Sequence, residues 1–340
     1  MDFQIEKIKD KNEWENFLKT LDPNIFVQSW NYGDFFRTLG EEAFVLGIKK
    51  DGKIVGGSLI VTTTAKRGKF LYLPYGPKLD FSDPEIWPAF VHELKKLAKE
   101  HKADFIRVSP FEDDTPEMKY KFKKAGFRPA PLHVLAETTW ILELAPDPET
   151  LFKAMRDTTR NLINRGKREG VEIRITKDEE ALKRLNDLLQ ETATRHNFTP
   201  FSYKYMKAEF DAFKSEDAVQ IFEAYFEGKL VSSAVIFFYG DTAVYRHGAS
   251  TSERIKCQPS YLLQWTAIQE AKKRGMKYYN FWGIAPQNAS KKHPFAGITT
   301  FKTGFGGFQK DLLHCQDLPV TLKYSLNWLV ETFRRIKRGF

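Results

Sequence analysis

The 340-residue chain has two cysteines, Cys257 and Cys315, too few for a disulfide framework or a thiolate metal site. It has no stretch approaching 18 uninterrupted apolar residues, which excludes an evident membrane-spanning helix. Its start, MDFQIEKIKDKNEW, lacks the apolar run of an export signal, so a reducing cytoplasm is the expected compartment. No low-complexity tract argues for extended disorder. No Cys/His or Ser/His/Asp constellation suggests a covalent nucleophile, and neither a metal nor a resident cofactor is expected.

What is present is a composition for packing: 42% hydrophobic, 14% aromatic and 29% charged residues. At this length, two domains with separate cores are the expected division. The net charge is +9, and its placement matters more than its size. Lys153, Arg156, Arg160, Arg165, Lys167 and Arg168 face a single acid, Asp157, and the chain ends FRRIKRGF. Both clusters suggest a polyanion or an anionic surface, or else simply solvated helix faces.

The chain also contains itself twice. Asp51-Gly52-Lys53-Ile54-Val55 corresponds to Glu227-Gly228-Lys229-Leu230-Val231, and Tyr72 to Tyr245. Trp87 to His101 corresponds to Leu262 to Arg274, and Ala103 to Ile106 corresponds to Met276 to Tyr279. Each copy reads as a hairpin, a third strand, a helix and a buried strand, with helical spacing at Phe90, Leu94, Leu97 and at Leu263, Ala267, Ala271. The expected fold class is α/β (α+β): two tandem GNAT-like domains, each a mixed, mostly antiparallel sheet flanked by helices. The proline-bearing, acidic link Ala145 to Glu149 places the division at residues 1–147 and 148–317, with a C-terminal helix at 318–340 completing the first domain.

Several segments resemble the Fem-type aminoacyltransferases, the FemA/FemB/FemX family of peptidoglycan bridge formation. They are Phe26 to Trp30 with Arg37 to Gly40, Tyr72 to Pro77, Arg160 to Val171, Pro259 to Trp265, Tyr279 to Ile284, and Gly297 to Lys302 with Gly304 to Gly307. They span nearly the whole chain in family order. The resemblance implies transfer of an amino acid from aminoacyl-tRNA to an amine of a lipid-linked or UDP-linked peptidoglycan precursor. It also implies the type without a long coiled-coil arm, because the segment between His196 and Ala218 is too short for one.

Aminolysis of an activated ester requires a neutral amine, a stabilised oxyanion and a 3′-oxygen that can leave. Lys302 is the expected catalytic group, acting on the oxyanion or the leaving group. The resemblance puts Arg37 on a diphosphate and Tyr72, Tyr75 and Gly76 beside it. It adds Tyr205, His247, Tyr261 and Trp282 as further substrate contacts, and notes Phe201 where some members carry a phosphate-binding arginine. A donor tRNA makes Arg160, Arg165, Lys167 and Arg168 its expected backbone contacts.

The coenzyme A turn of ordinary GNAT enzymes, glycine-rich at a helix N-terminus, is replaced by Gln258-Pro259-Ser260-Tyr261 and, in the first half, by Asp80-Phe81-Ser82-Asp83-Pro84. An acyl-CoA-dependent N-acyltransferase for a surface polysaccharide or small amine remains the alternative enzyme. A non-catalytic RNA- or membrane-binding module is the alternative of another class. The C-terminal helix, with Leu322, Leu326, Leu329, Val330, Phe333 and Ile336 roughly on one face, is expected to pack that face on the first domain. Peripheral contact with an anionic membrane is its second reading.

Overall fold

The computed structural model describes residues 3–65, 68–196, 199–253, 255–290 and 293–338. The chain divides into two compact units, Met1–Glu137 with Asp311–Phe340, and Thr138–Lys310. The observed boundaries lie at Glu137 and Asp311 instead of Asp147 and Leu318. The strand Thr138–Glu143 pairs antiparallel with Tyr278–Gly283, so it belongs to the second sheet. Proline marks only the helix that follows it, Pro148–Ala154, capped by the Asp147 side chain on the amides of Glu149 and Thr150.

The first unit is a seven-stranded sheet in the order Gln4–Ile8, Ala43–Lys50, Lys53–Ala65, Gly68–Pro74, Phe105–Ser109, Gln316–Pro319, Arg128–Pro129. Only Gly68–Pro74 and Phe105–Ser109 run parallel to each other. The helix Ile86–Glu100 makes that crossover and buries Phe90, Leu94 and Leu97 against Leu46, Ile60, Leu71 and Ile106. The second unit repeats the plan in the order Phe308–Asp311, Thr138–Glu143, Tyr278–Gly283, Thr242–Ser250, Lys229–Tyr239, Val219–Phe226, Glu172–Thr176. Its parallel pair is Thr242–Ser250 with Tyr278–Gly283, crossed by the helix Ser260–Lys273, which buries Leu263, Ala267 and Ala271.

Both hairpins turn through two residues of positive φ, Asp51 and Gly52 at 50° and 74°, Glu227 and Gly228 at 51° and 76°. Those angles define the turn whose twist matches its flanking strands. Just beyond each turn the register slips by one residue. Val55 is the extra residue between Ile54 and Gly56, and Val231 between Leu230 and Ser232. The duplication thus reproduces the fold down to a bulge.

The helices Glu179–His196 and Tyr203–Lys214 follow each other closely, with no helical arm between them. Among the described residues, no helix is long and apolar enough to cross a membrane. The C-terminal helix Lys323–Arg338 does not pack its apolar face on the first unit: Leu322, Leu326, Leu329, Phe333 and Ile336 are 60–94% exposed. It docks through its polar face instead, which carries Tyr324 and Glu331.

Candidate active site

The two parallel strand pairs differ where a site would form. In the first unit, pairing runs from Phe70 with Phe105 to Pro74 with Ser109. In the second it runs only from Thr242 with Tyr278 to Val244 with Asn280, and then stops. Irregularities on both strands coincide with this opening. Arg246 is an extra residue opposite the Val235–Ile236 step, and the register against Thr138–Glu143 shifts between Asn280 and Gly283. Trp282 there has a φ of 65°, with its amide turned onto Asn280 Oδ1 at 2.7 Å. A bulky residue held in the left-handed region costs about 1–3 kcal/mol and characteristically marks a functional segment.

Lys302 reaches into this opening from the last turn of the helix Ala296–Thr303. Its side chain is buried, donates a 2.6 Å hydrogen bond to the Gly283 carbonyl oxygen, and lies 5.6 Å from the centre of the Tyr245 ring. No carboxylate among the described residues pairs with it. Burial without a counter-ion penalises the ammonium and lowers its pKa to about 7. Tyr245, raised to about 12 by burial, makes no hydrogen bond through its hydroxyl to any described residue. Its counterpart Tyr72 donates to Ser109 Oγ at 3.2 Å. Gly248 leaves room for the Tyr245 phenol: a Cβ there would lie 1.9 Å from the hydroxyl oxygen.

Tyr261 walls the same helix from the other side, edge-on to Phe301 at 4.9 Å and stacked on Phe305 at 5.8 Å. Partial burial raises its phenol pKa.

A second group gathers around Glu209. Successive strand residues normally face opposite sides of a sheet, yet Arg246 and His247 meet the same carboxylate because the extra residue re-aims the strand. Arg246 Nε and His247 Nε2 lie 2.9 and 2.7 Å from its two oxygens. Burial alone would raise the Glu209 carboxyl, but Arg246 and His247 outweigh it and hold it below the usual range. Burial lowers His247 against the pull of Glu209. His247 is therefore a neutral imidazole near pH 7 that donates from Nε2 to the carboxylate. The Arg246 guanidinium lies over Trp282 at 5.1 Å and Phe201 at 5.7 Å, and Phe201 stacks on Tyr205 at 4.6 Å. The structure thus brings Tyr205, His247 and Trp282 together through Glu209 and Arg246, which sequence reasoning missed.

Residues 10–125 match the FemAB family, and residues 153–292 match the acetyltransferase (GNAT) domain. The first unit thus resembles the Fem family, and the fold is GNAT-like. It is 27% identical to the UDP-N-acetylmuramoylpentapeptide-lysine N(6)-alanyltransferase of Weissella viridescens over 69% of this chain and 72% of that one. It is 21% identical to the lipid II:glycine glycyltransferase of Staphylococcus haemolyticus over 89% and 90% of the two chains. A crystal structure of FemX matches it with a TM-score of 0.83 at 18% identity, over 96% of this chain and all of the other.

The expected first-unit contacts have internal partners. Tyr72 and Tyr75 are 3% and 2% exposed, and the Tyr75 hydroxyl donates to the Ala136 carbonyl. Gly76 carries no side chain because a Cβ would lie 2.2 Å from Ser58 Oγ and 2.8 Å from Gln28 Nε2. Gln28, also missed from the sequence, ties this loop to its sheet by donating to Pro74 O and accepting from the Leu59 amide at 2.9 Å. These residues build the loop's shape. Arg37 is more accessible but is held by Asp34, by the Ala43 carbonyl at 2.7 Å and by the face of Trp30 at 5.4 Å.

The basic helix Asp157–Arg168 divides similarly. Arg160 donates to the carbonyls of Lys153 and Met155, and Arg165 pairs with Glu169 at 2.6 Å. Lys167 and Arg168 are exposed, with no ion pair to a described residue. At the start of the helix Ser260–Lys273, Pro259 has no amide hydrogen and the Tyr261 amide already donates to Gln258 O. This helix start therefore presents few donors to a pyrophosphate. Among the described residues, no cluster of three His, Cys, Asp or Glu side chains could hold a metal ion.

Proposed function

We propose that this protein is a Fem-type aminoacyltransferase of peptidoglycan bridge formation, moving an amino acid from aminoacyl-tRNA to an amine on the stem peptide of a peptidoglycan precursor. The observation that carries this reading is Lys302, a buried lysine without a counter-ion whose pKa of about 7 lies at the opening between two parted strands. Relatives named as an alanyltransferase and a glycyltransferase support the reaction and the precursor class.

The chemistry follows from the lysine's poise. A group that titrates near the working pH exchanges protons with little penalty in either direction. As the acceptor amine attacks the ester carbonyl and the C–N bond forms, Lys302 takes the proton the nitrogen must lose. The ammonium so formed stabilises the neighbouring oxyanion, and when the C–O bond breaks it returns the proton to the departing 3′-oxygen. No covalent enzyme intermediate is needed. The aromatic faces of Tyr205, Phe201 and Trp282 around Arg246 offer the acceptor a surface beside this centre. Lys167 and Arg168 are free to meet a tRNA backbone, and Arg37 would meet a precursor phosphate only by releasing Asp34. The proline at the helix start speaks against an acyl-CoA donor.

The test is to incubate the protein with mixed charged tRNA and either the UDP-linked or the lipid-linked muropeptide, and to read the acceptor's mass. A gain of one or more aminoacyl residues is expected. A gain only from acetyl-CoA, or no gain with either acceptor, overturns the proposal.

A further inference from the structure

A helix on a water-soluble surface normally hides its apolar stripe and shows its polar one. The C-terminal helix Lys323–Arg338 does the reverse. Its inward side is fastened by charge: Arg107, buried in the sheet, binds Asp317 through Nε and Nη2, each at 2.8 Å, and reaches Glu331 on the helix at 2.7 Å. Tyr324, 1% exposed, donates to Asp317 at 3.0 Å and packs on Phe105 at 5.2 Å. An arginine bidentate to one carboxylate and bonded to a second fixes the rotation of the helix about its axis.

That rotation turns Leu322, Leu326, Leu329, Phe333 and Ile336, spaced alternately by four and three residues, to the outside at 94%, 62%, 60%, 78% and 70% exposure. A continuous patch of five large apolar side chains marks a surface that is covered in use. The charges beside it say by what. Lys323, Arg334 and Arg335 are exposed, while the helix's one acid, Glu331, is consumed by Arg107. A second copy of this helix would bring lysine and arginine against lysine and arginine, with no acid to pair them. An anionic bilayer offers an apolar interior for the stripe and negative headgroups for its flanks.

We propose that this helix is a docking surface for an anionic membrane, lying in the plane of the interface with Leu322, Leu326, Leu329, Phe333 and Ile336 inserted among the acyl chains. The polar clamp through Arg107 holds the stripe outward before any membrane is met, so binding need not first expose it. The surface is independent of the aminoacyltransferase reading, and its test uses no substrate.

The full chain is sedimented with vesicles of phosphatidylcholine alone and with vesicles containing about one-third phosphatidylglycerol. Binding to the anionic vesicles, weakened at least tenfold on phosphatidylcholine or at high salt, is expected. The triple variant Leu326→Ser, Leu329→Ser, Phe333→Ser should lose at least tenfold in binding with an unchanged melting temperature, since these side chains are exposed in the free protein. Arg334→Glu with Arg335→Glu should lose the preference for anionic vesicles, each charge being worth roughly a fivefold change. Wild-type protein that stays in the supernatant with both vesicle types overturns the proposal. So does a dimer, seen by light scattering, that the triple variant dissociates while vesicle binding is absent.

Discussion

Among the described residues, Lys302 Nζ donates its one hydrogen bond to a neutral acceptor, the Gly283 carbonyl oxygen, at 2.6 Å. A carboxylate there would fix the lysine as a permanent ammonium; a carbonyl leaves it free to titrate. Replacement by methionine should lower turnover by roughly ten- to a thousandfold and remove the limb of the pH–rate profile near pH 7.

Stability should move the opposite way. The folded-state pKa of about 7 lies below the ordinary 10.5, so the unfolded chain binds the proton more tightly between those values. The penalty of burying the ammonium is full below about pH 7 and fades as pH rises toward 10.5. Lys302→Met should therefore stabilise the protein by a few kcal/mol at pH 6, each tenfold difference in proton affinity being worth about 1.4 kcal/mol, with the advantage shrinking by pH 10. Urea midpoints at the two pH values check this, and an advantage that does not shrink contradicts it.

Gly248 and Tyr245 occupy one space, so Gly248→Ala should displace the phenol and cost about 1–3 kcal/mol. Removing the hydroxyl relieves the closest clash. The double variant with Tyr245→Phe should cost less than the sum of the two singles, a coupling read from a double-mutant cycle in denaturant.

Glu209→Gln removes the buried carboxylate charge that Arg246 and His247 share and should destabilise by about 3–5 kcal/mol. His247, lowered below 6.5 by burial, binds protons more weakly folded than unfolded, so its contribution is present at pH 7 and lost as pH falls below 6.5. His247→Gln keeps a donor for Glu209 and should flatten the stability profile between pH 6.5 and 5. A profile as steep as the wild type's would assign the acid sensitivity to other groups.

Charge reversal at Lys167 and Arg168 should weaken charged-tRNA binding and reduce the slope of log affinity against log salt by about one for each phosphate no longer neutralised. The melting temperature should hold. Arg160→Ala should instead lower stability, because its guanidinium closes the carbonyls of Lys153 and Met155. Filter binding across a salt series, beside thermal melts, separates the two outcomes.

The hairpins at Gly52 and Gly228 and the crossover helices at Phe90 and Leu263 were legible in the sequence, because turn chemistry and apolar period act over a few residues. The grouping of Glu209, Arg246 and His247 was not. Strand alternation places Arg246 and His247 on opposite faces, and only the unpaired residue in the ladder, invisible to a period of two, brings them to one carboxylate. The partners of Tyr72 and Tyr75 were hidden for a related reason: an aromatic loop reads the same in sequence whatever its hydroxyls meet, here Ser109 and Ala136. The C-terminal stripe was evident as a stripe, but its direction depended on Arg107, more than two hundred residues away in the chain.

The shared bulge at Val55 and Val231 also separates what the halves have in common from what sets them apart. The extra residue falls at the same step of both hairpins; in the first unit the register then changes between the Val61–Tyr72 pair and the Gly57–Lys78 bridge, across the loop Tyr75 to Pro77, and in the second it slips at Arg246. The two copies are alike at the turn and differ in how each leaves the ladder beside its parallel pair.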